Sequence, residues 1–122
     1  MFGLHMRILG IFISCTALTL SSPSVVHADG DPAIYSAAVP MLETAGGGKT
    51  CVECFLEKFA PAEFNKAFAV SKDGAYGGRW SRNESMETVR EKALESCRKK
   101  PVYRSENPCV IFFENDKLVW TQ

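Results

Sequence analysis

The most regular pattern of apolar and polar positions lies in the C-terminal half of the chain. Between Ser85 and Lys99, apolar residues recur every three or four positions and charged residues fill the opposite side. This pattern predicts an amphipathic helix with Ser85 as its N-cap, ended by Pro101. The apolar stripe consists of Met86, Val89, Ala93, Leu94 and Cys97. We expect this stripe to pack against a sheet.

A hairpin is predicted on each side of this helix. Residues 67–70 and 75–80 are separated by a turn that contains Asp-Gly, a strong hairpin signal. Residues 109–113 and 118–120 are separated by Asn-Asp. The predicted order is β-β-α-β-β, which indicates an α+β domain: a small antiparallel sheet of two hairpins with one helix packed on it.

Two shorter helical patterns precede the hairpins. Apolar residues at helical spacing over 32–42 predict a first helix, which Pro40 should interrupt. Residues 51–59 predict a second helix, which ends before Pro61. Between the two helices, Ala-Gly-Gly-Gly at 45–48 predicts a flexible linker or hinge.

The first 28 residues have the pattern of a secretory signal peptide. Arg7 supplies a positive charge, 8–20 is largely apolar, and Val26-His27-Ala28 suits a signal peptidase. The apolar core is too short to span a bilayer, which takes about 20 residues. A second interpretation, a lipoprotein acylated at Cys15, has a poorer match in the preceding residues. We therefore expect a periplasmic or secreted protein with no membrane segment after cleavage.

Cleavage after Ala28 divides the chain into three regions. Residues 1–28 are the signal peptide, 29–49 are an N-terminal segment with the Gly-rich linker, and 50–122 are the disulfide-stapled α+β domain. Cleavage removes one of the 14 basic residues and none of the 14 acidic ones, so the mature net charge is about −1. That balance does not suggest a nucleic acid or an anionic membrane as a partner.

The histidines limit the chemistry that remains. Both of them, His5 and His27, lie in the predicted signal peptide. A mature chain without histidine excludes Ser-His-Asp and Cys-His catalysis and histidine-ligated metals. No pair of carboxylates stands out, because Glu87, Glu91 and Glu95 share the solvated face of the helix. We expect no catalytic residue, metal or cofactor, and hence a protein that is not an enzyme.

Four cysteines remain in the mature chain: Cys51, Cys54, Cys97 and Cys109. An even number in a small exported chain indicates a disulfide framework with three possible pairings. Cys97 lies on the apolar stripe and Cys109 opens a predicted strand, so we predict a bridge between them that stabilises by roughly 3 kcal/mol. Cys51-x-x-Cys54 is then a redox-active pair, a short-range structural disulfide or a pair with other partners. A zinc site formed by all four cysteines is a further alternative.

Aromatic residues on the predicted strands give a candidate binding surface. It consists of Tyr76, Arg79, Trp80 and Trp120, and suits a protein or cell-envelope ligand if the outer face of the sheet is exposed. The alternative is that the N-terminal helices cover that face. Phe112 and Phe113 are strand neighbours, so we expect them to point to opposite faces.

Several short motifs resemble a family of small exported bacterial domains of unknown function. They are Lys66-Ala67-Phe68-Ala69-Val70-Ser71, Asp73-Gly74-Ala75-Tyr76-Gly77, Lys92-Ala93-Leu94 with Cys97, and Cys109-Val110. The resemblance covers about Asn65 to Trp120 and leaves out the Cys51-x-x-Cys54 segment. It implies the same fold, export and the Cys97–Cys109 bridge, and it carries no catalytic residues.

Two functions follow as hypotheses. The first is a non-enzymatic binding module for a protein or cell-envelope ligand. The second is a thiol–disulfide redox protein that uses Cys51 and Cys54.

Overall fold

The computed structural model describes residues 31–122, so the predicted signal peptide and Cys15 lie outside the described residues. The α+β class is confirmed, with bounds that differ by a few residues from those expected. The helices are α1 (Pro32–Ala45), α2 (Lys49–Cys54, continued by a π-helical turn, Phe55–Phe59) and α3 (Met86–Arg98). The strands are β1 (Lys66–Val70), β2 (Tyr76–Trp80), β3 (Val110–Glu114) and β4 (Lys117–Leu118). They form an antiparallel sheet in the order β2-β1-β3-β4, so β1 and β3 join the two hairpins.

Helix α3 covers one face of the sheet, as predicted. The hydroxyl of Ser85 accepts a hydrogen bond from the Thr88 N–H and caps the helix. Its buried stripe packs on small residues of the sheet; this cluster contains Ala67, Ala69, Ala75, Val89, Ala93, Cys97 and Cys109. Gly77 shows how close the approach is, because a Cβ on it would lie 2.5 Å from the Cys97 nitrogen. Small side chains on the strands therefore let the helix backbone lie directly on the sheet.

Helices α1 and α2 cover the other face, so the sheet lies between two helical layers. Tyr35 and Leu42 of α1 are buried in one cluster with Phe55, Phe59 and Phe68. The described part of the segment 29–49, residues 31–49, therefore contributes side chains to the core of the domain. The sequence left open whether this face is exposed or covered by the N-terminal helices, and in the structure it is covered.

The structure contains neither the flexible linker predicted at residues 45–48 nor the helix interruption predicted at Pro40. Helix α1 continues through Pro40 to Ala45. It ends in a Schellman-type turn, in which the N–H of Gly46 donates to Glu43 O and the N–H of Gly47 to Leu42 O. Gly46 has φ 123°, a conformation that glycine adopts without a steric cost. The glycines thus form a packed helix end.

We expect Gly46→Ala to lower the free energy of unfolding by about 2 kcal/mol. A Cβ on Gly46 would lie 2.2 Å from Ser71 O, and the positive φ adds strain. Gly48 is the matched control, because a Cβ there meets no atom within 4 Å. Guanidinium denaturation of both variants measures the difference. Equal midpoints for Gly46→Ala and Gly48→Ala would return the segment to the linker interpretation.

The expectation for Phe112 and Phe113 is wrong. Both are fully buried in the α1/α2 cluster, and both rings contact Phe55, at centroid distances of 5.7 and 5.4 Å. The cause is a register shift in the β1–β3 ladder: Phe113 pairs with Phe68, whereas the neighbouring Ala69 pairs with Ile111. The extra residue forms a bulge, and a bulge breaks the alternation of side chains between the two faces.

Candidate functional site

The four residues of the predicted binding surface lie in two separate places. Tyr76, Arg79 and Trp80 belong to β2 at one edge of the sheet, whereas Trp120 follows β4 at the opposite edge. The three residues on β2 are divided again. Arg79 pairs with Ala67 on the α3 side, whereas Tyr76 and Trp80 share the face of Phe68. The structure therefore does not bring the four together.

Arg79 is engaged by an acidic residue of its own chain. Its Nε and Nη2 donate to the two carboxylate oxygens of Glu84 at 2.9 and 2.7 Å, and Lys92 Nζ lies 2.6 Å from the same carboxylate. These hydrogen bonds, with Arg79 contributing most, lower the pKa of Glu84 to about 2. A ligand carboxylate would have to displace Glu84 to reach the guanidinium fork.

The aromatic residues of β2 support neighbouring structure. Tyr76 stacks on Phe68 with centroids 6.1 Å apart, and Lys100 Nζ lies 4.6 Å from the Tyr76 centroid. Trp80 contacts Phe59 at 6.4 Å and remains 39% exposed. Trp80 is thus the residue of this edge with the largest open aromatic surface.

Trp120 lies in a depression at the opposite edge. Its ring packs against Phe112 at 6.2 Å and is half-buried. A groove of about 530 Å³ runs from Ala45 and Val70 past Pro108 and Val110 to Trp120. A second depression of about 410 Å³ shares Trp120 with it and extends to Met41 and Leu118. We call the two together the Trp120 groove.

The Trp120 groove is surrounded by exposed apolar side chains. Met41, Val110 and Leu118, which line it, are 39% to 46% exposed. The two residues of β4 pair with Phe113 and Glu114, and the N–H groups of Val119 and Trp120 donate to Phe112 O. Within residues 31–122, no strand pairs with the outer edge of β3 before Phe112. The sequence predicts Trp120 as a site residue. It does not predict the apolar side chains around Trp120, because these come together only where α1 lies beside the C-terminus.

The Cys97–Cys109 disulfide is confirmed, with the two Cα atoms 6.2 Å apart. It joins the last turn of α3 to the residue before β3. Two of the four sulfurs needed for the alternative zinc site are used in this bridge. Within residues 31–122, no group of three or more potential metal-ligating side chains is suitably placed to hold an ion.

Cys51 and Cys54 are free thiols on α2. Burial, with a smaller contribution from the Cys54 sulfur, raises the pKa of Cys51 to about 12 against the opposing charge of Lys100. Burial also raises the pKa of Cys54, against the opposing charges of Lys58 and Lys100. A reactive thiol of the redox enzymes has the opposite shift, towards a stabilised thiolate.

The structure also shows a buried charge that sequence reasoning missed. Lys66 is fully buried, and its ammonium donates to three carbonyls at 2.7 to 2.9 Å, those of Phe59, Ala60 and Ala62. Its Nζ also lies 4.6 Å from the ring centroid of Tyr35. The sequence signal was weak: one lysine at the start of an apolar strand. Lys66 caps the end of the π-helical turn, and its contacts identify a structural role.

Compared with family models, with curated proteins and with solved structures, the chain matches none of them. The resemblance to small exported bacterial domains therefore stays a prediction. None of the helices within residues 31–122 is long and apolar enough to cross a membrane.

Proposed function

We propose that this protein is a non-enzymatic binding module whose ligand is an extended peptide segment of a protein partner, bound in the Trp120 groove. The observation that carries the proposal is the set of three exposed apolar side chains around a half-buried tryptophan. Contiguous apolar surface of this kind marks interaction sites, and tryptophan is enriched among the residues that dominate binding energy.

The backbone beside the groove favours a peptide over other ligands. Val110 and Ile111 both pair with β1, so the one whose N–H and C=O point away from β1 offers main-chain groups next to the apolar surface. An extended peptide can use both, because its backbone hydrogen-bonds to a strand edge while alternate side chains enter the groove. The charged residues of the lining, Lys72 and Glu106, have opposite signs and do not select a polyanion.

Export to the periplasm or the outside of a bacterial cell is part of the same proposal. It depends on the signal-peptide pattern of residues 1–28 and on the resemblance to exported domains. The Cys97–Cys109 bridge supports it, because disulfides persist mainly in oxidising compartments.

The alternative function, a thiol–disulfide redox protein, has less support. Both free thiols have raised pKa values, and the antiparallel sheet differs from the βαβ surroundings of thioredoxin-like pairs.

The first test is selection of peptides from a random library on immobilised protein. We expect the selected peptides to lose at least about tenfold in affinity for Trp120→Ala, which removes the central aromatic surface of the groove. Trp80→Ala is the matched control, since Trp80 is a half-exposed tryptophan at the other edge of the sheet. The chain has two tryptophans, so Trp80→Phe leaves Trp120 as the fluorescence reporter for titration.

Circular dichroism of both alanine variants establishes that the fold is kept. Peptides that bind Trp120→Ala and the wild type equally would contradict the location of the site. A library that yields no peptide above background would contradict the peptide-binding function itself.

A further inference from the structure

Cys51 and Cys54 are close enough to form a disulfide with each other. They lie three residues apart on α2, and α-helical geometry places such Cα atoms about 5 Å apart. That distance is within the range of about 4.4–6.8 Å found for disulfides. The structure contains the dithiol form, so a bridge here is a reaction that remains open to the protein.

The two thiols differ in their access to solvent. Cys51 is 2% exposed, and its sulfur packs so closely on Gly47 that a Cβ there would approach it to 3.0 Å. Cys54 is only partly buried. A disulfide-containing molecule from solution therefore reaches Cys54 more easily, whereas Cys51, although it lines a depression of about 460 Å³, presents almost no surface there and is placed to react with its neighbour.

Positive charges act on the same pair. Burial raises the pKa of both thiols; Lys100 offsets part of that rise for both, and Lys58 offsets part of it for Cys54, so the reaction proceeds through a minor thiolate fraction. Lys100 is positioned by the Tyr76 ring, 4.6 Å from its Nζ. The same charges attract an anionic reactant towards Cys54.

We propose that Cys54 and Cys51 form an ordered thiol-modification site for small anionic disulfides of the glutathione type. The Cys54 thiolate attacks one sulfur of the small disulfide, whose S–S bond breaks and releases one thiolate. The Cys51 thiolate then attacks the Cys54 sulfur, breaks the mixed disulfide and releases the second small thiolate. The protein dithiol is oxidised by two electrons, the small disulfide is reduced to two thiols, and the protons of Cys54 and Cys51 pass to the released thiolates.

The test is a time course with oxidised glutathione, followed by mass spectrometry of the intact chain and of its peptides. In a chain that begins at Asp29 and so lacks Cys15, the Cys97–Cys109 bridge stays closed and any adduct lies on Cys51 or Cys54. We expect the wild type to end as a Cys51–Cys54 disulfide. Cys51→Ala should accumulate one stable glutathione on Cys54, and Cys54→Ala should react at least about tenfold more slowly, because Cys51 is buried.

A second pair of variants separates the charge from general folding effects. In the Cys51→Ala background, Lys100→Gln should slow adduct formation several-fold, whereas Lys99→Gln should leave it unchanged, because Lys99 lies beside Glu95 on the exposed side of α3.

Three outcomes would overturn the proposal. They are faster modification of Cys51 than of Cys54, two glutathiones on the wild type without a bridge, and no reaction of Cys51→Ala. Each is independent of peptide binding at Trp120, so this proposal and the proposed function fail separately.

Discussion

Lys66→Met is expected to lower the free energy of unfolding by about 4 kcal/mol. The variant keeps an unbranched side chain of similar length and removes the ammonium, which donates to three carbonyls at 2.7 to 2.9 Å. A carbonyl left without a donor in a buried position costs about 1–3 kcal/mol; the bond to Phe59 O is buried, whereas those to Ala60 O and Ala62 O are partly buried and cost less to lose. Relief of the buried charge offsets part of the sum, so the expected loss is lower than three full penalties.

Chemical denaturation of each variant in the same buffer measures this loss. Lys58→Met is the matched control, since Lys58 is an exposed lysine of the same π-helical turn, and it should change stability by less than about 0.5 kcal/mol. If Lys66→Met were as stable as the control, the three carbonyls would be adequately solvated without the ammonium, and Lys66 would be an incidental buried charge.

The effect of losing the Lys66 ammonium should also extend to the sheet. The backbone N–H of Lys66 donates to Oδ1 of Asn115, in the turn after β3, at 3.0 Å, while its side chain holds the end of the π-helical turn. One residue thus connects the aromatic layer to the hairpin of β3 and β4. Hydrogen exchange in Lys66→Met should therefore increase at both places.

Local signals made much of this fold predictable from the sequence. The Asp-Gly turn, the Ser85 cap and the 3.6-residue stripe of α3 each specify nearby backbone, and their elements are found within a few residues of the expected bounds. These signals depend on residues close together in the chain, so no knowledge of the tertiary arrangement is needed.

Features that depend on distant contacts were missed. The glycines after α1 have the composition of a flexible linker, because their close contact with Ser71 comes from another element. Phe112 and Phe113 have the spacing of opposite-facing neighbours, because a bulge is fixed by strand pairing. Lys66 gives only a weak local sign of its burial, its place at the start of an apolar strand, since its carbonyl partners become close only when the π-helical turn packs on β1.

The candidate site follows the same division. Trp120 was identified from its residue type, but its separation from Trp80 depends on the order β2-β1-β3-β4, which places the two hairpins side by side through β1 and β3. A sequence pattern reports which residues are aromatic and how they alternate. It does not report which strand edges remain open, and that property decides where a peptide could bind.

Removal of the Cys97–Cys109 bridge by the double substitution to alanine should cost about 3 kcal/mol, by release of a loop with a sequence separation of 12. The loss is large for a domain of this size, whose net stability is of the order of 5–15 kcal/mol. The bridge holds the end of α3 to the residue before β3, so the unbridged chain should also lose order at the Pro108 side of the Trp120 groove.

Guanidinium denaturation measures the cost, and Cys54→Ala is the control, expected within about 0.5 kcal/mol of wild type because that thiol is only partly buried. If the double variant were as stable as the control, the packing of α3 on the alanine-rich sheet face would be sufficient to stabilise the fold without the covalent link.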